Sequence, residues 1–168
     1  MRPLSADSMS VLNEMMPSAQ RPRILLEAFR AGRVPGDDLP ELIAFAWLRD
    51  DSPTADVADS DWMEIFEAVG FFSYPPYRSQ PASTITVYRG AIIDRLRHMS
   101  WAEDPDVARL LGRRQAWHGF AALYSATVEP VGVLAYLHRP AEGWTVVVDT
   151  ARLVGIQCLE SLPDPRPA

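Results

Sequence analysis

A proline-rich stretch divides this chain into two parts with different hydrophobic periods. Residues 73–83, SYPPYRSQPAS, contain three prolines, and proline disfavours helix at its own position and at the preceding one. Before this stretch the apolar residues recur at helical spacing, whereas residues 84–89, TITVYR, alternate and are rich in β-branched side chains. The sequence therefore predicts a helical subdomain at residues 21–72, a linker at 73–83 and a β-rich core at 84–157.

Three short amphipathic helices are predicted in the first part. They are expected to begin at Pro22, Asp37 and Asp59. Gly32 should end the first and Gly70 the third, and the second should end before Asp50. Residues 1–20 are polar with scattered apolar side chains, and we expect them to be flexible.

In the second part, the pattern predicts a further helix and several strands. The helix should run from Asp104 to Gly112, with Pro105 in its first turn and glycine as its end. Strands are expected at 84–89, 122–128 and 144–148. The apolar run at 131–137 is too short for periodicity to separate helix from strand. Residues 158–168 end in PDPRPA and are predicted to be a tail.

Composition excludes several classes of function. The net charge of -6 and the pI near 5.0 disfavour nucleic-acid binding, because no basic surplus exists to neutralise phosphates. Cys158 is the only cysteine, so no intrachain disulfide is expected, and no stretch approaches the roughly 18 apolar residues of a membrane span. We expect a soluble, cytoplasmic protein. The three histidines show no close metal-ligand spacing, which predicts that no metal is bound.

Four short motifs follow one another through the second part. They are Tyr88-Arg89-Gly90, Ser100-Trp101, the segment 124–128, and Glu142 ahead of a valine-rich strand that ends at Asp149. In this order they resemble a bacterial and phage group of ADP-ribosyltransferase-like proteins of the arginine-serine-glutamate type. The resemblance covers about residues 23–156. It implies an α+β fold in which a helical subdomain packs on a split, mainly antiparallel β core, with a cleft for NAD between the sheets.

The resemblance also implies roles for particular side chains. Arg89 would hold the dinucleotide, since a guanidinium pairs with phosphate oxygens in a bidentate way. Gly90 would let the backbone approach the ligand, and Ser100 would brace the nicotinamide ribose or a carboxylate. Trp101 would pack under the pocket or face the nicotinamide. Glu142 would be the carboxylate that stabilises the positive charge formed on the ribose.

One feature departs from the family pattern. Related enzymes carry a Glu-x-Glu or Gln-x-Glu turn before the valine-rich strand, and here Gly143 and Thr145 occupy its two places. Glu142 precedes the first place by one residue. Three hypotheses follow: a transferase that moves ADP-ribose from NAD to a protein acceptor, a catalytically degenerate relative that binds a nucleotide or a protein, and a protein whose function resides in helices at 23–72.

Overall fold

The structure is a computed structural model that describes residues 3–49, 54, 57–140 and 142–163. It has an α+β fold, and the chain divides into two compact units, Met1–Tyr77 and Arg78–Ala168. None of the helices formed by the described residues is long and apolar enough to cross a bilayer.

The first unit is mainly helical. Its elements are α1 (Ala6–Met15), α2 (Arg21–Arg30), α3 (Leu39–Leu48), α4 (Asp59–Val69) and the short strand β1 (Phe72–Tyr74). The last three helices confirm the three helices predicted from periodicity. Gly70 ends α4 with a φ of +73°, a conformation that glycine adopts without strain.

Helix α1 lies in residues 1–20, which the polar composition predicted to be flexible. The Ser5 hydroxyl accepts a hydrogen bond of 3.2 Å from the Ser8 backbone N–H and so caps the helix. Val11 and Met15 are four residues apart on one face and are fully buried. The prediction was wrong for residues 6–15, because two well-spaced apolar residues and a cap are enough for a helix that packs on a core.

Aromatic side chains form the centre of the first unit. The rings of Trp47 and Trp62 meet edge to face with centroids 4.8 Å apart, and Phe66 lies within 6.0 Å of both. All three side chains are almost completely buried. Large aromatic residues dominate burial in small domains, so this cluster is the main source of the unit's stability.

The described residues of the second unit form six strands and one α-helix. They are β2 (Ile85–Ile92), β3 (Ser100–Trp101), α5 (Pro105–Gln115), β4 (Ala121–Val128), β5 (Val133–Arg139), β6 (Gly143–Val148) and β7 (Leu153–Ser161). Strands β2, β4 and β7 form one antiparallel sheet in the order β2-β4-β7, and the other strands pair in the order β5-β6-β3. The two sheets meet at an antiparallel bridge between Tyr88 and Ala102.

In the second unit the structure settles one choice that the sequence left open and extends one strand beyond the predicted end of the β core. Residues 131–137 form a tight turn and then β5, which settles the open choice in favour of strand. Strand β7 continues to Ser161 through residues predicted to be a tail, and the next residue, Leu162, is buried and donates its N–H to the Ala121 carbonyl at 2.9 Å. Burial of Leu162 therefore holds this part of the chain in the sheet.

Helix α5 runs past Gly112, which was predicted to end it. A Cβ added to Gly112 would lie 2.7 Å from the Gly90 Cα, and one added to Gly90 would lie 2.1 Å from the Ala108 carbonyl oxygen. The two glycines let α5 pack directly on the backbone of β2. The prediction was wrong because this glycine serves close packing, and its φ is not in the left-handed region.

Candidate functional site

Arg89 lies on β2 and ties the following loop to this strand. Its side chain is buried, and the residue is only 9% exposed. Its Nε donates to the Arg95 carbonyl at 2.9 Å, and its Nη1 donates to the Ser100 carbonyl. Hydrogen bonds from a charged donor are stronger than neutral ones, so Arg89 fixes the connection from β2 to β3.

Ser100 opens β3 and pairs with Val147 of β6. The structure thus brings together Arg89 and Ser100, two residues that the resemblance assigned to one site. The contact is made by the Ser100 carbonyl, whereas the resemblance assigned the bracing role to its hydroxyl.

Glu142 lies between β5 and β6, away from these two residues. Its Oε1 accepts from Arg114 Nη1, and its Oε2 accepts from Arg139 Nη1 at 3.0 Å. Val147, the partner of Ser100, follows five residues later, which corresponds to about 17 Å along a strand. A glutamate side chain cannot cover that distance, so the three residues predicted to form one site do not converge.

The surroundings of Glu142 keep its carboxylate ionised. Desolvation is the largest single influence and raises the pKa, but hydrogen bonds and charge from Arg114 and Arg139 together outweigh it. The pKa of Glu142 is therefore lowered. Each oxygen already accepts from a guanidinium, and this arrangement links the hairpin to α5.

Gly90 and Trp101 have packing roles in the structure. The close approach at Gly90 is made by α5, so the space that the resemblance implied for a ligand is filled by protein. Trp101 is 2% exposed, and its indole N–H donates to the His98 carbonyl at 2.8 Å. Of the two roles expected for Trp101, burial fits packing beneath a site and does not fit direct contact with nicotinamide.

The register of the strands shows which side chains share a face. Tyr88 pairs with Ala102 and packs with it against α5, and side chains alternate along a strand. Arg89 therefore points to the side of the sheet opposite α5. It lies beside Trp101, which pairs with Val146, and Val146 pairs with Tyr136.

A second group of polar and aromatic residues occupies this face. We call Arg78, Glu103, Tyr136 and Trp144 the Glu103 cluster. The Tyr136 hydroxyl donates to Glu103 Oε1 at 2.8 Å, and Arg78 Nη2 lies 2.6 Å from Glu103 Oε2. The Arg78 guanidinium also stacks over the Tyr136 ring, 4.1 Å from its centroid, and lies 5.5 Å from that of Trp144.

Sequence reasoning missed Glu103. The residue comes three positions after Ser100, and this proximity to the second motif was the only signal available. Burial is the main reason that the pKa of Tyr136 is raised, and its hydrogen bond to Glu103 adds to the effect. Tyr136 therefore keeps its proton at neutral pH, and its hydroxyl donates a hydrogen bond to Glu103.

Comparisons with family models, with curated proteins and with solved structures found no significant match. Within the described part of the chain, no group of three or more His, Cys, Asp or Glu side chains is arranged to hold a metal ion.

Proposed function

We propose that the second unit is an ADP-ribosyltransferase-type core that binds NAD and transfers ADP-ribose to a protein acceptor. One observation carries the proposal. The Arg89 guanidinium reaches Ser100, eleven residues further along the chain, beside the bridge that joins two antiparallel sheets. The ordered motifs and a split antiparallel core support the same conclusion.

The residues on the Arg89 face suit the two charged parts of such a substrate. A guanidinium complements the negative diphosphate, and a carboxylate complements the positive charge that develops on the ribose. Arg89 supplies the first and the Glu103 cluster supplies the second. NAD, when bound, would supply the glycosidic bond between nicotinamide and ribose that this chemistry cleaves.

Binding and turnover are tested separately. We expect NAD to raise the melting temperature, since a ligand at a hundredfold excess over its Kd adds about 2.7 kcal/mol to the free energy of unfolding. Release of nicotinamide and incorporation of labelled ADP-ribose into added proteins then measure turnover. If NAD neither raises the melting temperature nor loses nicotinamide, the proposed function is wrong.

Arg89→Lys and Arg152→Lys form a matched pair for the binding step. Lysine keeps the charge and loses the planar set of donors, so we expect the first variant to bind NAD more weakly. The Arg152 side chain is 49% exposed and pairs with Asp149, and its variant should bind NAD as the unaltered protein does. Melting curves without NAD show that each variant is folded.

A catalytically degenerate core is the second candidate. The ion pairs of Glu142 with Arg114 and Arg139 favour it, because they engage the only carboxylate that the motifs assigned to catalysis. This candidate binds NAD without releasing nicotinamide, so the same two measurements separate it from the transferase.

A further inference from the structure

We infer that Glu103, and not Glu142, is the carboxylate that faces the NAD ribose, an inference that rests on the proposed function. Three observations carry it: Glu103 lies on the face of Arg89, its carboxylate is oriented by two donors, and its side chain is reachable from solvent.

The position of Glu103 follows from the bridge between the sheets. Because Tyr88 pairs with Ala102, Arg89 lies beside Trp101. Glu103 lies in the bend after Ala102, and the hydrogen bond from Tyr136 places its carboxylate on the same face. Trp101 is one strand spacing from Arg89, and Glu103 follows it by two residues. The Cα atoms of Arg89 and Glu103 are therefore roughly 8 Å apart. The ribose and diphosphate of one dinucleotide extend over a separation of this size.

Two donors orient the carboxylate and leave it accessible. Oε1 accepts from the Tyr136 hydroxyl, and Oε2 accepts from Arg78, so each oxygen keeps lone pairs for a further partner. The Glu103 side chain is 30% exposed, compared with 16% for Glu142. Arg78 is held over the ring of Tyr136, so both donors act as positioning residues.

The reaction step assigned to Glu103 is electrostatic. The bond between ribose C1′ and the nicotinamide nitrogen breaks, and nicotinamide leaves with the bonding electron pair. The nucleophilic atom of the acceptor then bonds to C1′ and releases its proton to water. Glu103 forms no bond in this step and stabilises the positive charge that forms on the ribose.

Glu103→Gln and Glu142→Gln are matched variants that test this assignment. Each keeps the shape of the side chain and removes its charge. We expect the first to lower kcat for nicotinamide release roughly 100-fold and to change the calorimetric Kd for NAD by less than about threefold, because the charge is needed in the transition state more than in the bound state. The second should keep kcat within about twofold, because Glu142 lies in the turn between β5 and β6, about 17 Å along the strand from the partner of Ser100.

Several outcomes would overturn the inference. If the unaltered protein turns NAD over and Glu103→Gln keeps full kcat, Glu103 is not the carboxylate that faces the ribose. The same conclusion follows if both variants lose kcat equally. NAD binding without turnover in the unaltered protein would overturn it in favour of the degenerate core. Absence of NAD binding would overturn the proposed function itself.

A shorter side chain tests the same assignment if Glu103→Gln fails to fold. Glu103→Asp keeps the charge and withdraws it by one methylene, so we expect a lower kcat with an unchanged Kd for NAD. Equal kcat for this variant and the unaltered protein would also exclude Glu103.

Discussion

Glu103 and Glu142 are carboxylates of the same unit, and both are paired with arginine, but their partners belong to different elements. Glu103 accepts from Tyr136 and Arg78 on the side to which Arg89 points. Glu142 accepts from Arg139 and from Arg114, which belongs to α5. About 17 Å of strand separates Glu142 from Val147, the partner of Ser100, whereas the hydrogen bond from Tyr136 holds Glu103 on the Arg89 face.

The two sites also differ in charge balance. Two guanidinium groups surround one carboxylate at Glu142, so this group carries a net positive charge that disfavours a further cation. Glu103 has one guanidinium and one neutral hydroxyl, which leaves capacity for a cationic partner. The first arrangement suits a structural link between hairpin and helix, and the second suits a binding face.

The largest effect is expected from a substitution that moves α5, the helix that carries one partner of Glu142. In Gly90→Ala the new methyl group would lie 2.1 Å from the Ala108 carbonyl oxygen, so the helix must move. We expect the free energy of unfolding, measured in urea, to fall by about 3 kcal/mol, the upper part of the usual range for overpacking. Because α5 carries Arg114 but neither Tyr136 nor Arg78, the Glu142 ion pair should be disturbed more than the Glu103 cluster.

Gly36→Ala is the control for this substitution. A Cβ at Gly36 meets no atom within 4 Å, so we expect a change below about 1 kcal/mol. If Gly90→Ala unfolds at the same urea concentration as the unaltered protein, α5 does not depend on this contact.

Local sequence signals predicted much of the secondary structure and less of the site. The end of α4 followed from Gly70, and the strand predicted at 122–128 corresponds closely to β4. Gly112 misled the prediction because a stop signal and a packing site look alike in sequence. The order of the motifs predicted that Arg89 and Ser100 meet.

Glu103 could not be found in this way, for a physical reason. Its hydrogen bond to Tyr136 joins residues 33 positions apart, and the face on which both lie depends on one bridge between two sheets. Neither the pairing of distant strands nor their register is encoded in a short motif.

An intermediate effect is expected when the hydroxyl donor to Glu103 is removed. Tyr136→Phe leaves the ring packed and deletes one hydrogen bond to a charged acceptor, so we expect a loss of about 1.5 kcal/mol in the free energy of unfolding. Tyr77 is 81% exposed, and Tyr77→Phe should change nothing measurable. If Tyr136→Phe loses no more free energy of unfolding than Tyr77→Phe, the hydroxyl does not support Glu103.

Alkaline pH gives an independent measure of the same contact. The pKa of Tyr136 is raised by burial and by Glu103, so the folded protein keeps a proton that the unfolded chain loses near pH 10. This contribution to stability is complete below about pH 10 and is lost as the pH rises further. The chain contains no lysine, so lysine titration does not obscure the effect. Between about pH 10 and 12, we expect the free energy of unfolding of Tyr136→Phe to decline less steeply than that of the unaltered protein.

The smallest effect is expected at the other carboxylate. Glu142→Gln weakens ion pairs with Arg114, whose side chain is 56% exposed, and with Arg139. Pairs this close to solvent contribute little, so we expect a loss of at most about 1 kcal/mol at pH 7, and a smaller one in 1 M salt, where the Debye length is about 3 Å.

The pH dependence of that loss has a definite sign. Because the pKa of Glu142 is lowered from 4.5, its contribution is complete above the ordinary value and disappears as the pH falls through the lowered one. The urea midpoints of Glu142→Gln and the unaltered protein should therefore converge in acid. A loss above about 3 kcal/mol at pH 7 would be typical of a buried pair. In that case Glu142 would contribute as much to stability as a core residue. It would then differ from Glu103 in its position alone.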